Sequence, residues 1–211
     1  MPGLDSMADL MELRPASEDD IDDLARLIAG DVNQATTKAG MRLFALEELD
    51  DAIELNRVMI TSTGGWRAMT LADANGPAGL VQIGEAFLAM TPELIEFANR
   101  LYGDRFQEIL GPRIAAMQRV QTEYPPDCLR ISEIHVSPDH RGEGIGTGLF
   151  EHAVEQAQAG GFKQLGLQTL TTNPARSAFE AWDFEVIETR TDPEFEELSG
   201  ATGYHLMLRD V

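Results

Sequence analysis

The sequence predicts a mixed α/β domain, with a central twisted sheet flanked by helices. Three features carry that reading. Asn75-Gly76 lies between two strand-like apolar runs and signals a tight hairpin. Gln164 to Leu170 alternates as a strand, and two more strand-like runs close the chain near 185–189 and 203–208. Between 131 and 149 a β-type run passes through a glycine-rich turn into an apolar helical pattern. A chain of 211 residues with 43% apolar content can bury one core of its own.

Taken in order, residues 1–10 read as a flexible tail, and 11–211 as a single domain. Ser17 caps a helix whose first turn is acidic; Ile21, Leu24, Leu27 and Ile28 form its apolar stripe, and Gly30 ends it. Leu43, Phe44, Leu46, Leu49 and Ile53 indicate a second helix, with Glu47, Glu48, Asp50, Asp51 and Glu54 on a solvated face. Trp66 to Leu71 and Leu80 to Glu85 are the two strands of the hairpin. Residues 86–127 read as two helical segments. Thr91-Pro92-Glu93 is a helix start, an apolar stripe runs from Phe97 to Val120, and Gly111-Pro112 breaks or kinks it.

The glycine turn carries the chemistry. It holds Arg141, Gly142, Gly144, Gly146 and Gly148, and Ile145, Leu149, Phe150, Ala153, Val154 and Ala157 begin the helix after it. Strand, glycine turn and helix start together aim backbone N–H groups at one anion, and the helix dipole adds about half a positive charge there. Arg141 adds a full charge and a planar fork of donors. The physics calls for a diphosphate seat. A P-loop is excluded because no lysine lies near the turn. A dinucleotide fingerprint is excluded because position 149 is Leu, and Lys163 and Gln164 stand where an acid belongs.

What matches is Arg-x-x-Gly-x-Gly, residues 141–146, directly after Val136-Ser137-Pro138. This resembles the GNAT acetyltransferase superfamily, whose motif of this form binds the pyrophosphate of acetyl-coenzyme A. Downstream, Asn173, Ala175, Phe179-Glu180 and Asp183-Phe184 fill further places of the family pattern, with the loop after Asn173 one residue short. Met11 to Pro15, followed by Ser17-Glu-Asp-Asp-Ile, resembles the family's first strand and the start of its first helix. The resemblance implies the GNAT acyltransferase fold, with 86–127 as a helical insertion between the third and fourth strands. Such an insertion would roof the substrate site, make a homodimer contact, or simply elaborate the surface.

The resemblance also implies roles. Arg141, Gly142, Gly144, Gly146, Thr147, Asn173 and Phe179 would hold acetyl-coenzyme A, and the backbone at His135 and Val136 would bind its pantetheine arm and polarise the acetyl carbonyl. Glu133 is the candidate base and His135 the second candidate. Strand alternation puts both on one face, with Ser132, Ile134 and Val136 on the other. The family often has Tyr where Phe179 stands, to protonate the leaving thiolate. Here Tyr204, Tyr102 or Tyr124 would have to reach in, or the thiolate would leave unaided. The expected reaction is acetyl transfer to a primary amine of a small cationic acceptor. The alternative is a non-catalytic acyl-coenzyme A-binding regulatory module.

Composition sets the outer bounds. With 16 basic against 36 acidic residues the net charge is −20, so neither a nucleic acid nor an anionic membrane surface is an expected partner. No apolar run is long enough to span a bilayer, and the N-terminal residues lack the pattern of a signal peptide. Cys128 stands alone, which fits a reducing cytoplasm and a small core residue. The four histidines show no metal-ligand spacing, so no metal is expected. Asp192, Glu194, Glu196 and Glu197, read as part of a loop before the last strand, are the sequence's argument for attracting a cation.

Overall fold

The computed structural model describes residues 11–84 and 90–211. The expected tail, 1–10, and Glu85 of the second hairpin strand lie outside the described residues. Seven strands are β1 (Glu12–Pro15), β2 (Met69–Asp73), β3 (Pro77–Ile83), β4 (Cys128–Val136), β5 (Gln164–Leu170), β6 (Glu185–Thr191) and β7 (Gly203–Asp210). They form one sheet in the order β1-β2-β3-β4-β5-β7-β6. All neighbours are antiparallel except β4 and β5, which run parallel.

The hairpin forms where Asn75-Gly76 placed it. Asn75 has φ 64° and Gly76 φ 143°, and Asp73 Oδ1 accepts from the Gly76 amide at 2.9 Å. Its first strand starts later than the apolar run suggested: Trp66 belongs to a 3-10 turn, Gly65–Ala68.

Helix α1 (Ile21–Ala29) follows a 3-10 turn, Glu18–Asp20, and ends at Gly30. Both the amide and the hydroxyl of Ser17 donate to Asp20 Oδ2 at 2.7 Å. Arg14 of β1 grips the same carboxylate through both terminal nitrogens, at 2.9 and 2.7 Å. One buried acid therefore ties the first strand to the first helix.

The expected second helix is two helices, α2 (Ala35–Leu43) and α3 (Leu49–Thr63). Phe44 and Leu46 sit in the joint between them, where Ala45 takes φ 51°. The run Ala35 to Leu43 buries only Ala39 and Leu43, so it left no readable stripe.

Two helices, α4 (Pro92–Tyr102) and α5 (Phe106–Val120), lie between β3 and β4. Thr91 caps α4 by accepting from the Leu94 amide. The break falls at Gly103, φ 60°, not at Gly111-Pro112, which is carried inside α5. Left-handed glycine ends a helix outright, whereas one internal proline removes a single hydrogen bond. Helix α6 (Ile145–Ala159) follows the glycine turn, and α7 (Arg176–Ala181) follows β5. The last acidic segment, expected as a loop, is helix α8 (Pro193–Ser199).

Each face of the sheet has its own core. On one, α6 buries Ile145, Leu149, Phe150, Ala153 and Ala157 against Val81, Ile131, Leu165 and Met207. On the other, α1 and α3 cover Leu71 and Leu80, while α2, α5 and α8 cover the β5–β7 end around Phe195.

Asp20→Ala should lower stability by about 1–3 kcal/mol, because it leaves the Arg14 fork and the Ser17 amide without their acceptor. Pairing with Arg14 holds the Asp20 carboxyl well below the usual range. Its contribution is therefore complete above the unfolded value of about 3.9 and is lost as pH falls through the folded one. Urea titrations should show the wild-type advantage at pH 7 and a narrowing gap in acid well below pH 4.

Candidate active site

Strands β4 and β5 pair only from Cys128–Arg130 to Gln164–Gly166 and then part. Two features near the parting shape it. Register against β3 jumps from Gln82↔Glu133 to Ile83↔Ile131, so Ser132 is an extra residue in β4. The Ser132 hydroxyl donates to the Gly84 carbonyl and holds that bulge. Second, a Cβ added at Gly79 would lie 3.1 Å from Ile145 and Leu149 and 2.7 Å from the His135 carbonyl. Only glycine lets α6 settle that closely on β3.

Beyond the parting, β4 exposes an unpaired edge. The Ser137 amide donates to the Ala78 carbonyl on β3 at 2.8 Å. Alternation then turns the amides of Ile134 and Val136 toward β5 and that of His135 toward β3. Of the two backbones expected to act together, the Val136 amide lies on the open edge beside Ile134, and the His135 amide points to β3.

The side chains divide as alternation required. Ile134 and Val136 pack into the α6 core. Glu133 and His135 share the opposite face, with His135 Nε2 and Glu133 Oε2 2.7 Å apart. Both are about one-third exposed, at 35% and 29%, so a solute can reach them.

The turn is built as the spacing predicted. A 3-10 turn, Pro138–His140, leads to exposed Arg141, which has no ion-pair partner among the described residues. Gly142 and Gly144 take φ 80° and 86°, and Gly144 caps α6. His140 Nδ1 lies 2.9 Å from Glu143 Oε2, so the acid between Gly142 and Gly144 is tied to a histidine. Thr147 is exposed in the first turn of α6. A Cβ at Gly146 would touch the Trp182 ring and Val136 at 3.6 Å. Trp182 stacks on Phe150 with centroids 4.7 Å apart.

Asn173 shapes its own turn. Its Oδ1 accepts from the Ala175 amide at 2.9 Å, and its Nδ2 donates to Thr169 Oγ1 at 2.7 Å. Phe179 is buried against Phe184 and Trp182 on the α6 face.

These residues surround one cavity of about 1630 Å³. Single small-ligand sites hold about 300–1,000 Å³, so there is room for a coenzyme and an acceptor together. Of the three tyrosines, Tyr204 and Tyr124 line it and Tyr102 does not. Tyr102 donates to the Phe44 carbonyl beside a second, smaller cavity. Tyr124 lies under the Arg130 guanidinium, 4.5 Å away. Burial pushes the Tyr204 hydroxyl up to about 12, and the negative charge of Glu133 adds to the shift.

Spacing did not mark Gln168. From β5 its amide donates to the Thr122 carbonyl at 2.7 Å and pins the end of α5 across the cavity. The readable signal was the polar residue at the outward place of an apolar strand.

The acidic clusters lie elsewhere. Arg119 grips Asp192 at 2.7 and 3.0 Å and Glu194 at 2.7 Å, and Asp192 also caps α8. From α8 only Phe195 and Ser199 reach the cavity wall, whose carboxylates among the described residues are Asp23 and Glu133. Among the described residues no group of three His, Cys, Asp or Glu side chains is placed to hold a metal ion, and no helix is long and apolar enough to cross a membrane.

Residues 87–184, which include the parting strand, the glycine turn and α7, match the family model for the acetyltransferase (GNAT) family. No curated protein sequence matches the chain. Among solved structures, an acetyltransferase is 22% identical over 95% of this chain and 99% of its own, with TM-score 0.56. An N-acetyltransferase from Staphylococcus aureus Mu50 is 15% identical over 94% and 100%, with TM-score 0.57. PaiA N-acetyltransferase from Thermoplasma acidophilum, in complex with coenzyme A, is 12% identical over 95% and 99%, with TM-score 0.53. At such identities the structures speak for the fold, and the family match speaks for the segment that carries the site. Residues 87–184, just under half of the chain, are thus similar to the GNAT acetyltransferase family, and the chain as a whole has the fold of these acetyltransferases.

Two glycines separate strain from collision. Gly144 is left-handed with open space around its missing Cβ, so Gly144→Ala should cost about 1–2 kcal/mol of backbone strain. Gly79→Ala meets backbone and two core side chains. It should cost at least as much, about 1–3 kcal/mol from overpacking, and also disturb the α6–β3 contact. Urea midpoints measure the costs, and loss of amide protection at the start of α6 in Gly79→Ala alone would separate the two mechanisms.

Proposed function

We propose that the chain transfers an acetyl group from acetyl-coenzyme A to a primary amine of a small acceptor, with Glu133 as the base. The observation that carries this reading is the parting of β4 and β5 beside the glycine turn, with Glu133 and His135 on the far face of the same strand. The turn suits the diphosphate: Arg141 brings charge, and the start of α6 brings unpaired amides. The free edge at Ile134 and Val136 suits the amide groups of a pantetheine arm and, at its end, a carbonyl oxygen gaining charge. Asn173 acts by fixing the turn after β5, Phe179 and Trp182 by packing, Gly146 by leaving room, and Thr147 by its exposed place in the first turn of α6.

The acceptor half of the reaction belongs to the Glu133 face. An alkylamine with pKa about 10.4 is only about 0.04% neutral at pH 7, so the proton must be taken as the amine attacks. Glu133 accepts it, directly or through water, while His135 holds the carboxylate in place. The C–N bond forms, the C–S bond breaks, and the thiolate departs. Phe179 offers no proton, and a thiol near the cysteine value of about 8.5 is a tolerable leaving group without one. The same Phe179 favours a second reading, an acyl-coenzyme A-binding module that turns nothing over.

Acetyl-coenzyme A at 100 times its Kd should stabilise the fold by about 2.7 kcal/mol, and Arg141→Ala should weaken binding. A well-folded sample with no thermal shift at millimolar coenzyme would overturn the seat. Glu133→Gln should lower kcat by about 10²–10⁴ with coenzyme affinity unchanged, and the loss should shrink as pH rises toward the amine value. Amine-dependent release of free thiol separates the enzyme from the binding module.

A further inference from the structure

One stretch of the cavity wall, around Tyr204, presents an apolar cluster. Half-buried Phe44, Met117, Leu170 and Tyr204 line the cavity there and belong to one cluster, with Leu43 and Phe195 behind them. Tyr204 packs on Phe195 with centroids 5.5 Å apart and faces the cavity from β7. Its hydroxyl is bonded to no group among the described residues and is not sealed from solvent. The only other carboxylate on the cavity wall among the described residues is Asp23, on α1, where Arg26 also lines the wall.

We propose that the acceptor is a primary monoamine on an apolar body, its nitrogen held between Glu133 and the Tyr204 hydroxyl and its body against Phe44, Met117 and Leu170. This deepens the reading of the cavity as an acetyl-transfer site and rests on it. An amine attacking a thioester carbonyl must aim its lone pair at carbon while its N–H groups are held elsewhere. Glu133 takes the proton that is lost, and the Tyr204 oxygen accepts from a remaining N–H. With its proton retained to about pH 12, the tyrosine acts as a neutral hydrogen-bonding group at neutral pH. A second ammonium on the acceptor would lie against carbon, with no carboxylate of the Phe44–Met117–Leu170 wall to pair it, and burying an unpaired charge is strongly unfavourable. The overall negative charge still speeds the approach of the single ammonium.

The test is thiol release from acetyl-coenzyme A by the full chain with hexylamine, 2-phenylethylamine, putrescine, spermidine and glycine at equal concentrations. The two apolar monoamines should exceed the diamine and triamine in kcat/KM by about tenfold or more. Met117→Glu should lower kcat/KM for hexylamine and raise it for putrescine. Tyr204→Phe should raise the acceptor KM and lower kcat while acetyl-coenzyme A affinity, read by thermal shift, stays unchanged; a merely structural tyrosine would move that affinity or the melting temperature instead. Preference of the wild-type chain for putrescine, spermidine or glycine would overturn the acceptor class and leave acetyl transfer standing. Coenzyme binding with no amine-dependent thiol release would overturn acetyl transfer itself, and the acceptor class with it.

Discussion

The site depends on two parallel strands that stop pairing after three residues. A parallel neighbour would satisfy the amides of Ile134 and Val136; the parting frees them. The bulge at Ser132 lies just past the last paired residue and bends β4 where it leaves its neighbour. Because the extra residue shifts the alternation, it also sets which side chains face which way. Ile131 lies on the α6 face, and so do Ile134 and Val136, one step out of phase. Glu133 and His135 are left together on the other face. One inserted residue thus opens the edge and aims the carboxylate.

A chain of charge −20 can offer a seat to a polyanion, as proposed, only if its acids are kept away from that seat. The acids at the start of α3 lie beside the smaller cavity, and Arg119 neutralises those that begin α8. Inside the turn, His140 holds Glu143 while Arg141 stays unpaired among the described residues. Field strength at a site follows the nearest charges more than the total, since beyond roughly 8–10 Å salt screens exposed pairs. Net charge therefore governs how a charged solute approaches, and local placement governs what binds.

The sequence made the turn legible because its glycines and arginine are spaced by backbone need, and backbone need leaves a fixed pattern. The Gly142 and Gly144 positions, the start of α6, β5 and the hairpin all follow from it. Legibility ended where tertiary contact replaces periodicity. Helix α2 buries two small patches and shows no stripe, while Leu43 and Phe44, which looked like the start of one helix, are the end of another. Helix α8 was hidden behind its acids, although Asp192 as cap, Pro193 at the first position and Gly200 after the end signal a short helix. The acids suggested a charged loop beside the acceptor, but the helix turns Phe195 inward and them outward. Nor does a one-strand pattern reveal the two-strand geometry that turns the His135 amide toward β3.

The aromatic residues show how the two faces divide the proton traffic. On the α6 face Phe179, Trp182, Phe150 and Phe184 pack together, and the ionisable group over them, the Arg209 guanidinium 4.9 Å from the Phe150 ring, is a poor proton donor. On the other face stand Glu133, His135 and Tyr204, the titratable groups assigned to the amine in the proposed reaction. In the proposed reaction deprotonation and departure need no shared group: the proton would leave by the acceptor face, and the sulfur as the anion. A thiolate that leaves without an acid takes up no proton as the C–S bond breaks, so that step carries no pH dependence of its own, whereas the amine loses its proton more readily as pH rises. The rate of such a site should therefore climb into mild alkali with the amine's deprotonation and show no descending limb until Tyr204 itself ionises, near pH 12. A general acid at position 179 would instead impose a falling limb at its own pKa, and its replacement by phenylalanine removes that limit.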